Sequence, residues 1–187
     1  QDFLSQVPEG QAFCFWLGTH ESHREFQDGS GKATGKNLGD IVVPPIFPDN
    51  ELVRSDIADY LVEVEYFDDV VARAIASLEH RGLLDNTIVV VTSDHGMPFP
   101  RAKASLYDAG TRVPLAVRWP VGIVNSGRDV KALVNLSDLA PTFLEAAGVA
   151  VPGVATAKSL LKPPSREAVF LERERHANVR KGDLSYP

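Results

Sequence analysis

Asp94 and His95 stand side by side at the end of an apolar run, Ile88-Val89-Val90-Val91, within Thr92-Ser93-Asp94-His95-Gly96. A carboxylate offers a hard oxygen ligand and a neutral imidazole a nitrogen, so the pair suits one divalent cation. Neighbouring side chains on a regular strand point to opposite faces. The two can therefore share an ion only where the chain leaves the strand, and Gly96 permits that turn. Manganese or zinc matches the mixed donors, while calcium stays compatible where oxygens complete the sphere.

Lys103 lies a short way downstream in Pro98-Phe99-Pro100-Arg101-Ala102-Lys103. The prolines stiffen this loop, lowering the entropic cost of holding an ammonium at a fixed point. A positioned cation beside a metal is what a transferring sulfuryl or phosphoryl group requires, because negative charge collects on its peripheral oxygens. Arg112 offers a second cation, but pairing with Asp108 or with neighbouring acidic residues is its expected, structural role. His20 and His23 follow the apolar stretch over residues 13–17. Either can bind an ester oxygen or protonate a leaving group.

The elements that must carry these groups read as α/β. The run at residues 88–91 suits a strand buried on both faces of a parallel sheet. Ligands in open α/β sheets gather at the carboxyl ends of strands, where Asp94 falls. Further strands are expected at residues 13–17 and 114–119, with weaker candidates at 130–134 and 168–171. From Asp49 to His80 apolar residues recur at three- and four-residue spacing, from Leu52 through Ile57, Leu61 and Val64 to Leu78. That is an amphipathic helix, with Asp49 or Asn50 as cap and Gly82 as stop. Its acidic group Glu63, Glu65, Asp68 and Asp69 is expected to face solvent. A second helix is expected from about Ser137 to Ala147, with Pro141 in its first turn.

Residues 19–48 read as a long flexible loop. The segment Gly29-Ser30-Gly31-Lys32-Ala33-Thr34-Gly35-Lys36 superficially matches a phosphate-cradling loop, but no strand leads in and Asn37 follows the lysine. The nucleotide reading is set aside. Cys14, the one cysteine, is expected to be a small buried hydrophobe. With 44% hydrophobic and 24% charged residues, the 187-residue chain has an ordinary globular composition. Its formal charge of −6 argues against general nucleic-acid binding, and the basic run over 173–181 is interleaved with acids as a solvated face would be. No apolar segment is long enough to span a membrane. Asn135-Leu136-Ser137 forms a glycosylation sequon to which no function is attached.

The segment from Thr92 to Leu115 resembles the second signature region of the sulfatases, in the alkaline-phosphatase-like superfamily: strand, Asp-His-Gly, a basic residue, then Tyr107-x-x-Gly110-x-x-x-Pro114. Residues 15–24 resemble the family's earlier strand-and-histidine segment. Pro98-Phe99-Pro100 after the Asp-His-Gly, with His20-x-x-His23-Arg24 upstream, is most similar to the heparan N-sulfatase branch. The resemblance implies a mainly parallel sheet flanked by helices, an incomplete form of the sulfatase core. It implies Asp94 and His95 as metal ligands, Lys103 as the residue contacting the sulfate, and His23 as the active-site histidine, with His20 beside the substrate. The implied ion is calcium, with manganese or zinc admitted by His95 where many sulfatases carry asparagine. The implied substrates are sulfated carbohydrates or small sulfate esters, and the implied compartment an exported one, though the chain shows no signal segment.

The Cys/Ser-x-Pro-x-Arg motif that yields the family's formylglycine nucleophile does not occur in the sequence. Residues 1–187 are accordingly expected to be the central-to-late part of a sulfatase catalytic domain, inactive by themselves. The alternatives are a phosphonate or phosphodiester hydrolase of the same superfamily, or a degenerate, glycan-binding relative.

Overall fold

The computed structural model describes residues 3–162 and 166–173. The basic run expected to be a solvated face lies outside the described residues apart from Arg173, which is exposed. The chain divides into two units, Gln1–Arg73 and Ala74–Pro187.

In the first unit a 3-10 turn at Phe3–Gln6 precedes the aromatic stretch. The expected strand at residues 13–17 is not paired into a sheet. Phe13 and Phe15, two residues apart, instead meet Phe3: the Phe15 ring stacks on it at 4.5 Å and the Phe13 ring meets it edge-on at 6.1 Å. The intervening Cys14 is exposed, contrary to the buried position expected for it, and Trp16 is 86% exposed. Stacking on a local partner has taken the place of a strand ladder.

The loop after it is not slack. Helix α1 (Ser30–Ala33) and a 3-10 turn at Leu38–Asp40 interrupt it. Both are tied to helix α2 (Glu51–His80). The buried carboxylate of Asp59 accepts from the amides of Gly29 (3.0 Å) and Gly31 (2.7 Å), and from the Ser30 hydroxyl (3.4 Å). Gly31 runs so close to α2 that a Cβ there would lie 2.5 Å from the Ala58 methyl. Arg54 holds the second anchor, donating to the carbonyls of Leu38 (2.7 Å) and Ile41 (2.9 Å) and as a fork to Asp49. That pairing holds the Asp49 carboxyl below its ordinary value. Asp49 is thereby committed elsewhere, and Asn50 caps α2 by accepting from the Val53 amide at 3.0 Å.

Ile57 and Ala58 form the buried core of this unit together with Ile41. Leu52, on the expected apolar stripe, is 79% exposed. Glu65, Asp68 and Asp69 face solvent, as their helical position implies, and Glu65 pairs with Lys36. The helix stops at Gly82, whose φ of 66° is left-handed; its amide reaches the Glu79 carbonyl while that of Leu83 reaches Leu78.

In the second unit, buried Leu84 sits in a 3-10 turn, Leu84–Asn86, that leads into strand β1 (Val89–Thr92). Helix α3 (Asp108–Thr111) and strand β2 (Leu115–Arg118) follow. The strands at residues 88 and 114 form as expected, but the sheet is not parallel. β1 and β2 pair antiparallel, with Val89 opposite Arg118 and Thr92 opposite Leu115. The reason lies in the connection: a parallel partner needs a crossover that carries the chain back along the sheet. Here residues 93–114 leave and re-enter at one end, fixed by the Thr92 hydroxyl on the Pro114 carbonyl at 2.8 Å. Among the described residues this two-stranded ribbon is the sheet; residues 130–134 and 168–171 are not strands.

A 3-10 turn, Leu136–Asp138, then runs into helix α4 (Leu139–Ala146), with Pro141 in its first turn. Asn135 and Asp138 cap reciprocally. Asp138 is fully buried and also accepts from the Lys158 amide (2.9 Å) and the Arg166 guanidinium (2.8 Å). Thr142 adds a third tie, its hydroxyl accepting from the Leu160 amide at 2.8 Å.

Candidate functional site

The loop that leaves β1 is built around two glycines. The Gly96 amide donates to the Gly110 carbonyl at 3.0 Å. A Cβ on Gly96 would stand 1.8 Å from the Ala109 carbonyl oxygen, and one on Gly110 2.3 Å from that of Ala102. Neither position admits a side chain, because three backbone segments meet there: the Asp94–His95 loop, the Lys103 loop and α3. The glycine of the Tyr107-x-x-Gly110 pattern thus has a packing reason.

This junction places Asp94 and His95 together. The His95 Nδ1 donates to the Gly96 carbonyl at 2.7 Å, which leaves Nε2 as the ring nitrogen turned to other partners. That Nε2 lies 3.7 Å from the Asp94 Oδ2, and the Asp94 side chain is 86% exposed. An oxygen and a nitrogen donor thus lie 3.7 Å apart, the two donor types that a borderline divalent cation accepts. Divalent ions take four or more ligands, and among the described residues no group of three or more His, Cys, Asp or Glu assembles. The pair fits a metal as two donors of its sphere.

Lys103 is held by its own backbone. Its amide donates to the Met97 carbonyl at 3.0 Å, which also accepts from Phe99 at 2.7 Å. Phe99 and Ala102 are buried and anchor the loop from beneath. Arg101 (φ 62°) and Ala104 (φ 57°), on either side, are both left-handed, a conformation costing roughly 1–2 kcal/mol for a residue with a Cβ. Among the described residues no carboxylate pairs with the Lys103 ammonium. Arg112 pairs with Asp108 at 3.8 Å, the structural role expected of it.

His23 repeats the pattern of His95. Its Nδ1 bonds the carbonyl of the following residue, Arg24, leaving Nε2 open, and both His20 and His23 are exposed. They belong to the first unit, whereas Asp94, His95 and Lys103 belong to the second, so the structure brings the latter three into one loop system and describes the histidines separately. The phosphate-cradle reading of residues 29–36 fails on direct grounds, since the Gly29 and Gly31 amides are already taken by Asp59. Sequence reading missed Asp59, Ser105 and the Gly96–Gly110 contact; the one signal was the pair of glycines bracketing the lysine loop.

The family model described as Sulfatase matches residues 1–149. Human N-sulphoglucosamine sulphohydrolase is 31% identical over 157 residues, spanning 79% of this chain and 31% of that protein. The N-acetylglucosamine-6-O-sulfatase of Bacteroides thetaiotaomicron is 41% identical over 98 residues, spanning 50% of this chain and 17% of that protein. Among solved structures, a phosphonate monoester hydrolase from Silicibacter pomeroyi aligns with a TM-score of 0.52 at 27% identity, covering 70% of this chain and 27% of that one. The chain thus spans less than a third of the length of these relatives.

Proposed function

The chain belongs to the sulfatase family, and on that premise we propose that the protein it forms hydrolyses sulfate esters or sulfamates of carbohydrates. Residues 1–187 are then the central-to-late part of the catalytic domain. The observation that supports the reading is the 3.7 Å approach of Asp94 Oδ2 and His95 Nε2, with the imidazole oriented by its Nδ1 bond to the Gly96 carbonyl.

Asp94 and His95 would hold a divalent ion, calcium or, given the imidazole, manganese or zinc, which supplies Lewis-acid polarisation of the sulfuryl oxygens. Lys103 presents its ammonium to the same oxygens, where charge grows as the ester bond breaks. By the family resemblance His23 would act on the departing alcohol or amine, donating from Nε2 in the form in which that nitrogen carries a proton, and His20 would bind an oxygen of the substrate. The nucleophile, a formylglycine in this family, is assigned to residues outside these 187. An exported location follows from the same family reading; no helix of the described residues is long and apolar enough to cross a membrane.

The decisive experiment compares hydrolysis of p-nitrophenyl sulfate and N-sulfoglucosamine with that of a phenyl phosphonate monoester and a phosphodiester by the complete protein. Faster turnover of the sulfur substrates is expected. Preference for the phosphonate ester would move the protein to the activity of its structural neighbour from Silicibacter pomeroyi. Binding of sulfated glycans without turnover of any ester would make it a non-catalytic relative.

A further inference from the structure

The left-handed turns on either side of Lys103 need something to hold them, since neither Arg101 nor Ala104 is a glycine. The structure offers one side chain that does so. The Ser105 hydroxyl donates to the Arg101 carbonyl at 2.9 Å and lies 3.1 Å from that of Ala102, closing the turn that contains the lysine. A serine bonding back by three or four residues is a common local device. This one differs in what it joins. The same residue lines the Gly110 contact, where a Cβ would lie 2.5 Å from the Ser105 carbonyl and 2.8 Å from its hydroxyl. Gly110 in turn receives the Gly96 amide, next to His95. The hydroxyl therefore sits between the loop carrying the cation and the glycine that secures the metal-ligand loop.

We propose that Ser105 is the positioning residue for Lys103, its hydroxyl fixing the 101–104 turn so that the ammonium stands ready for a tetrahedral oxyanion such as the sulfuryl group. The anion's identity rests on the sulfatase reading; the positioning role does not. Removing the hydroxyl frees the Arg101 and Ala102 carbonyls and lets the turn relax towards ordinary backbone. The ammonium then spends its binding energy on being ordered, and anion affinity falls while the charge itself is kept.

A double-mutant cycle read by calorimetric binding of inorganic sulfate to the complete protein tests this. Ser105→Ala is expected to weaken sulfate about tenfold, the scale of one lost hydrogen bond. Ser105→Thr, which keeps the hydroxyl, should stay within about twofold of the parent on the same reasoning. In a Lys103→Ala background, adding Ser105→Ala should change nothing further. An equal loss in both backgrounds, an undiminished affinity in Ser105→Ala, or a threonine variant as weak as alanine would each overturn the proposal. Ser105→Cys, similar in volume but a poor donor, replaces alanine if that variant fails to fold. Should the parent bind inorganic phosphate and not sulfate, the sulfatase reading falls while the same cycle, run with phosphate, still decides the role of Ser105. Binding of neither anion overturns the positioning role.

Discussion

The Gly96 amide and the Gly110 carbonyl meet at 3.0 Å, and neither glycine has room for a Cβ. One contact thus ties the loop carrying Asp94 and His95 to α3, against which the Lys103 loop also packs. Alanine at position 96 would put a methyl 1.8 Å from the Ala109 carbonyl oxygen, a clash with backbone that no rotamer relieves. Gly96→Ala is expected to destabilise the protein by at least about 2 kcal/mol, the scale of forced overpacking. Urea denaturation measures it. A change under about 0.5 kcal/mol, ordinary for an uncrowded surface site, would mean the two loops are not pressed together.

His95 makes a sharper test of the metal reading. Asparagine would exchange an imidazole nitrogen for a carbonyl oxygen and leave the Asp94 carboxylate untouched. His95→Asn is expected to move metal preference from zinc and manganese towards calcium, since oxygen donors suit the harder ion. Competition between calcium and zinc, followed by calorimetry, reads the shift directly. Loss of affinity for all three ions in equal proportion would show that His95 positions the loop and does not ligate.

A candidate site was easier to nominate from the sequence than the fold was to draw. Asp94, His95 and Lys103 could be proposed together because they sit in one contiguous loop, whose backbone carries their relative positions. Strand partners are different: an apolar run says that a segment wants burial, not which neighbour supplies it. Residues 88–91 and 114–119 therefore read correctly as strands, while their direction followed from how residues 93–114 return, which periodicity does not encode. Residues 13–17 read as the same kind of run, yet Phe13 and Phe15 found Phe3 instead of a ladder. Asp59 escaped notice because its carboxylate lies on α2 among other acids, and only tertiary structure shows that it alone receives the Gly29 and Gly31 amides.

That carboxylate is expected to order the segment opposite it. Asp59→Ala removes the acceptor of two amides and a hydroxyl at a buried position, and should cost about 2–4 kcal/mol from the donors left unsatisfied. The effect is local as well as global. Amide exchange of Gly29 and Gly31 should accelerate far more than that of residues within α2. Unchanged protection of those two glycines would show that α1 stands without Asp59.

Asp138 carries the pH dependence. Burial taken alone would raise its carboxyl, but the bonds from Arg166 and from the amides of Asn135 and Lys158 outweigh it and hold the group below its ordinary 3.8. A depressed folded value means that the unfolded chain takes up this proton first as acid is added. The stability contributed by the cluster is therefore complete above about the ordinary value and is lost as pH falls through the folded one. Unfolding free energy is expected to decline more steeply below pH 4 in the parent than in Asp138→Asn, which has no proton to gain there. Arg166→Met, by contrast, leaves a buried carboxylate without its cation and should cost about 3 kcal/mol at neutral pH. Chemical denaturation across a pH series distinguishes the two. If Asp138→Asn shows the parent's acid slope, another carboxylate governs it, and the bonds of Asp138 to Lys158 and Arg166 do not set the acid limit of stability.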